Sequence, residues 1–176
     1  MTIKLDQLDK EIIDLLTQDG RMSCAEIARA IGTVSERSVR YRLERLLKED
    51  IIRIKASPVP QTLGYSVVAN VFIEVESGHV LEIARKIAAY EHVSFVACST
   101  GDTDISIQII TQNNRDLYEF VTEVLGKIEG VRKTTTLMVP FIVKDLEQWR
   151  IPSSMFRDTY PGPETPPALE EGPYRR

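Results

Sequence analysis

Four arginines fall within nine residues of the stretch TVSERSVRYRLERLL (33–47): Arg37, Arg40, Arg42 and Arg45. A guanidinium presents a planar fork of donors that matches a phosphate or the edge of a guanine, which a lysine ammonium does not. The grouping stands out because the 176-residue chain has a formal net charge of −4. Residues 35–55 hold seven basic and four acidic side chains, whereas residues 1–34 hold four and six. Positive charge is therefore local, and the overall acidity says little about partners.

A second polar group is the run TGDTD at 100–104. As turn chemistry it is a hairpin loop in which glycine supplies a positive φ and the aspartates bond their own backbone. Functionally, exposed N–H groups of such a loop suit the carboxylate of an amino acid, and Asp102 or Asp104 suits its ammonium. Two carboxylates fall short of the six or more oxygens that calcium takes, so no metal site is expected. Catalytic candidates are few. His79 and His92 have no cysteine or serine at motif spacing, Cys24 and Cys98 lie far apart, and no phosphate-cradling glycine loop or paired-histidine metal motif occurs. Glu74 and Glu76 share a strand face and read as solvated. No enzyme and no resident cofactor are expected.

The elements that must position these groups can be read from their punctuation. A first helix over about 8–18 carries the stripe Leu8, Ile12, Leu15 and Leu16, with Asp6 as its N-cap and Gly20 as a left-handed residue after it. Ser23 to Glu26 is a capping box for a second helix, with Met22 and Ile27 placed as a staple and Gly32 as its stop. Ser35 caps a third. On a wheel of about 100° per residue, Val39, Leu43, Leu46 and Leu47 form its core face. Arg37, Ser38, Tyr41 and Arg45 then lie opposite, flanked by Arg40 and Arg42. Two short helices with a tight turn and an exposed basic second helix make a helix-turn-helix, whose partner is double-stranded DNA. A solvated, salt-bridged surface helix is the plain alternative, but the arginine face has few acids to pair with, Glu44 being the main one. IIRIKAS (51–57) reads as the strand of a wing, with Arg53 and Lys55 set to touch backbone phosphate.

After residue 57 the period changes. Pro58, Pro60 and Gly64 mark a stiff linker over 58–66. Strand, helix, strand, strand, helix and strand follow at about 67–76, 79–90, 93–99, 104–111, 114–130 and 131–143, with Asn114 capping the second helix and Pro140 limiting the last strand to an edge or a bulge. The order β-α-β-β-α-β describes a ferredoxin-like domain over 67–151 with both helices on one face of the sheet. The other face keeps apolar side chains, so an obligate dimer covering it is expected. Residues 152–176 hold six of the nine prolines and read as a mobile tail, with Trp149 as a buried anchor before it. The fold class is α+β, a winged helix-turn-helix (1–57) followed by the ferredoxin-like domain. No segment approaches the roughly 18 apolar residues of a membrane span, and the acids near the N-terminus exclude a signal peptide. A cytoplasmic location is expected.

The segments LDQLDKEIIDLLTQDGR, AEIARAIG with RYRLERLLKEDIIRIKA, LGY (63–65), TGDTD (100–104) and GVRKTTTLMV (130–139), taken in order, resemble the leucine-responsive regulatory protein and AsnC family of transcription regulators over roughly residues 5–152. The resemblance implies a DNA-binding head and an effector domain that dimerises through its sheets, with assembly into higher homo-oligomers. It implies that a small amino acid or related metabolite binds between dimers and alters DNA affinity. By matching position, Ser35, Arg37, Ser38, Tyr41, Arg42 and Arg45 fall on the recognition helix, and Gly101, Asp102, Thr103 and Asp104 on the loop lining the effector site, next to Thr100. The link from Gly32 to Ser35 is one residue longer than the family's usual turn, Asp50 replaces a common glycine, and Thr103 stands where many members carry an aromatic. Two rival readings are a sirohaem decarboxylase-like enzyme on the same fold and an assembly module with a vestigial head.

Overall fold

The structure is a computed structural model that describes residues 4–156, arranged in two compact units. The first joins residues up to Ser57 with those from Lys144 onward; the second runs from Pro58 to Val143.

The first unit contains α1 (Gln7–Gln18), α2 (Cys24–Ile31) and α3 (Glu36–Lys48). Each starts where the sequence signals it. Asp6 and Asp9 form a capping box on α1, Ser23 and Glu26 form one on α2, and the Ser35 hydroxyl accepts the Ser38 N–H on α3. Such caps satisfy N–H groups that no helical carbonyl can reach. The buried stripes Ile12, Ile13 and Leu16, Ile27 and Ala28, and Val39 and Leu46 meet in one core. Leu47, expected in that stripe, is exposed. Gly32 ends α2 in the left-handed conformation at φ 78°. Gly20 does not do the same for α1. The helix stops at Asp19 with φ −141°, and the Asp19 carboxylate accepts the Arg21 N–H at 2.9 Å, so the chain turns without glycine's freedom. Asp50 takes the left-handed conformation, at φ 55°, and grips Arg53 through two hydrogen bonds of 2.7 and 2.5 Å.

Two expectations for this unit fail. Residues 51–57 form no strand among the described residues, so the head is a helix-turn-helix without a wing strand: Ile51 and Ile52 turn into the core instead of laddering. The chain also returns to the head after the sheet. Ile151 and Phe156 join the head core, with Phe156 4% exposed and bridged to Leu5. Trp149, expected to be buried, is 57% exposed. The proline-rich tail lies outside the described residues from 157 onward.

The second unit contains β1 (Val67–Val75), α4 (Val80–Ala88), β2 (Val93–Cys98), β3 (Ile105–Thr111), α5 (Asn114–Glu119) and β4 (Val131–Met138). The sheet order is β2-β3-β1-β4, antiparallel throughout, which is the ferredoxin-like arrangement. Alternation sends Ala69, Val71 and Ile73 of β1 and Ile105, Ile107 and Ile109 of β3 toward Ile83, Ile87, Leu117 and Leu125 of the helical layer. Asn113, one residue earlier than expected, caps α5, which continues as a π-turn (Phe120–Val124) and a 3-10 turn (Leu125–Lys127). The opposite face of the sheet mixes Phe72, Phe95 and Leu137 with Asn70 and Gln108, whose side chains bond at 3.4 Å. It is less apolar than the sequence suggested.

Phe156→Ala removes a buried ring from the composite head and should destabilise it by about 3–5 kcal/mol. Hydrogen exchange of α1 amides, compared with those of β3, checks this: only the former should accelerate.

Candidate nucleic-acid interface and effector loop

On α3 the basic residues divide into two groups. Arg42 and Arg45 are half-buried and face α1. The Arg45 Nη2 donates to Asp9 Oδ2 at 2.5 Å, and Arg42 Nη1 lies 2.7 Å from Asp6 Oδ2 and 3.3 Å from Asp9 Oδ1. Asp9 is fully buried, and its Oδ2 also accepts the Asp6 N–H at 3.1 Å. One carboxylate therefore closes the start of α1 and holds two guanidiniums of α3. The four groups are neutral as a set. Burial raises the Asp6 carboxyl, but the Asp9 N–H and the Arg42 guanidinium outweigh it and hold Asp6 below the ordinary carboxylate range. The Arg45 Nε is buried without a hydrogen-bond partner among the described residues.

This corrects the helical wheel. The wheel puts Arg45 on the outward face, for which Glu44 is the main acid available, whereas its partner comes from α1, 36 positions earlier. The signal was present in the sequence: Asp9 occupies the stripe Asp9, Ile12, Ile13, Leu16, where a charge needs a partner.

The second group faces solvent. Arg37 is exposed with no ion pair among the described residues, Tyr41 is 69% exposed, and Arg40 pairs only with Glu36 one turn back at 2.5 Å. Exposed pairs of that kind are screened by solvent and contribute little, so a phosphate can displace Glu36. Ser38 is half-buried, and Ser35 is engaged in its cap. Lys55 is exposed, and Arg53 is held by Asp50.

In the second unit, residues 99–104 form a closed turn between β2 and β3. Ser99 N–H donates to Asp104 O at 2.9 Å, the Ser99 hydroxyl to Thr103 O at 2.9 Å, and Asp104 N–H to Ile73 O at 3.0 Å. The Asp104 carboxylate accepts the N–H of buried Val75 at 2.8 Å. Asp104 is thus engaged by the sheet, and Asp102 is the carboxylate left exposed. Gly101 takes φ 138°, and the N–H groups of Gly101, Asp102 and Thr103 find no acceptor among the described residues. Of the histidines, His92 stacks edge-on to Phe120 at 5.8 Å and His79 lies 3.6 Å from Glu82. Neither belongs to a basic cluster that would favour a tetrapyrrole.

A three-helix head with a solvent-facing basic helix, followed by a ferredoxin-like domain with an open polar loop, defines a helix-turn-helix regulator with an appended ligand-binding domain. Residues 5–47 match the AsnC-type helix-turn-helix domain and residues 68–148 the Lrp/AsnC ligand binding domain. An HTH-type transcriptional regulator of Pyrococcus furiosus is 41% identical over 80% of this chain and 95% of its own length. The regulator FL11 of the same organism is 34% identical over 80% and 93%. Among solved structures, E. coli AsnC superposes with a TM-score of 0.75 at 24% identity over 82% of this chain and 99% of its own. A Neisseria meningitidis regulator, solved as its L-Met complex, gives 0.74 at 22% identity over 81% and 94%. The chain belongs to the Lrp/AsnC family of transcriptional regulators.

Asp104→Ala strands the buried Val75 N–H and should cost the second unit about 1–3 kcal/mol in a denaturant melt, with or without amino acids present.

Proposed function

We propose that this regulator acts in the cytoplasm, reads a specific duplex DNA site with the outward face of α3, and changes its DNA affinity and assembly in response to a small amino acid. The observation that carries the DNA reading is the division of α3: Arg37, Arg40 and Tyr41 project into solvent while Arg42 and Arg45 are taken up by α1. The exposed trio offers forks for phosphate or guanine and an aromatic face. Ser35 and Ser38 sit beside them at the start of the helix, where N–H groups and the dipole favour an anion. Lys55 supplies a further backbone contact.

The effector reading rests on the loop from Thr100 to Asp104. Its unpaired N–H groups receive the ligand carboxylate, and the exposed Asp102 carboxylate its ammonium. Thr103 adds a small polar neighbour to the side-chain subsite. Asp104 shapes the loop from behind. On a single chain the loop is open, in keeping with a site completed by another subunit. The mixed apolar face of the sheet, with Phe95 and Leu137 about half exposed, supports a homodimer joined through that face, from which larger homo-oligomers assemble.

DNA fragments selected from the source genome should bind the purified protein with an affinity that falls steeply as salt rises. Arg37→Ala should reduce the slope of log affinity against log salt by about 0.9, the share of one released counterion. Indifference to DNA of every sequence in dilute buffer would end this reading. In a thermal-shift screen of the amino acids, a ligand should raise the melting temperature through preferential binding to the native state. Asp102→Ala should remove that rise; a rise that persists moves the site away from the loop.

A further inference from the structure

Asp9 has no role in the function described so far, yet it is the buried polar group with the densest set of charged partners on the head. Its carboxylate is fully buried and accepts from the Asp6 N–H, from Arg42 and from Arg45. We infer that Asp9 is a positioning residue for DNA recognition: through Arg42 and Arg45 it fixes the rotation of α3 about its own axis, and those two guanidiniums touch no DNA. The inference deepens the DNA-binding reading above and rests on it for its main readout.

Three observations support it. The apolar contacts between α1 and α3, centred on Ile12, Val39 and Leu46, are non-directional and define separation better than rotation. Arg42 and Arg45 lie three residues apart on one flank of α3 and converge on one carboxylate. A rotation by one residue, about 100°, would withdraw both, so the pair selects one orientation. That orientation is the one that leaves Arg37 and Tyr41 facing outward. Charge supplies the third argument. Arg42, Arg45, Asp6 and Asp9 cancel, so they add no net positive charge toward a polyanion. Drawing Arg45 onto a phosphate would take a charge partner from a fully buried carboxylate, which is strongly unfavourable.

The experiment is a double-mutant cycle on the full chain with Asp9→Leu, Arg45→Met and the double substitution, read by DNA affinity across a salt series. If Arg45 only positions α3, Asp9→Leu weakens binding by about tenfold without changing the salt slope, and the double variant is no weaker than the worse single. If Arg45 touches DNA, Asp9→Leu frees it, so affinity rises or the slope steepens, and Arg45→Met lowers the slope by about 0.9. Either result overturns the inference, as does wild-type affinity in Asp9→Leu. Should Asp9→Leu fail to fold, the double variant still decides, because it removes both charges together: its slope must equal that of the wild type. Should the wild-type protein bind no DNA, the functional reading fails and thermal melts of the same cycle test the anchor. Additive losses in melting temperature then reject it, and non-additive losses sustain it.

Discussion

Everything that α3 can offer a partner depends on the carboxylate of Asp9. A buried charge without compensation is too costly to keep, so the fold must deliver cations to it. Arg42 and Arg45 meet that demand. The consequence runs in both directions. Half of the arginine cluster is withdrawn from solvent, and the other half is aimed. What looks in sequence like a uniform basic helix is a neutral, interior flank bearing a small cationic front made of Arg37 and Arg40, with Tyr41 between them. A compact, locally positive surface on an acidic chain suits a polyanion better than net charge suggests, because duplex DNA responds to the nearest charges within a Debye length of about 8–10 Å.

How legible this was from sequence depends on whether the determining contact is local. The capping signals at Asp6, Ser23 and Ser35 involve partners three residues away, and all three hold. The alternating pattern of β1 and β3 follows from the two-residue period of a strand, and the order of elements allowed few topologies. Local misses, at Gly20 and at the cap of α5, shift a boundary by a residue or two, whereas the failures that change the architecture are long-range. Nothing near Arg45 in the sequence announces Asp9, and a helical wheel has no means of placing a neighbouring helix. The wing strand required a partner for 51–57, and the head provides a core for Ile51 and Ile52 instead. Trp149 follows the assumption that a lone large aromatic is buried, but an indole with one polar end is often only partly so.

The return of the chain to the head carries a topological consequence. Residues 144–156 leave the end of β4 and close over the first unit's core through Ile151 and Phe156, while residues 58–66 lead from that unit into β1. Adjacent strands of one sheet are thus each covalently joined to the head. A helical head of about fifty residues, small for an independent domain, thereby recruits apolar side chains from beyond the sheet to complete its core.

The same economy of carboxylates governs the effector domain. Asp104 and Asp9 are each drawn inward, one to a strand N–H and one to two guanidiniums, and each leaves a near neighbour in sequence more open to solvent. At the loop that neighbour is Asp102; at the head it is Asp6, which accepts the Asp9 N–H and pairs with Arg42. In both places the inner aspartate fixes local geometry. A turn whose shape is set by the Asp104 bond to Val75 holds its N–H groups in a fixed direction, and a turn preorganised in this way would lose little ordering free energy if, as proposed, it receives a ligand carboxylate. Substituting either inner aspartate would then disturb the proposed recognition from a distance, by moving donors that it never shares with the ligand.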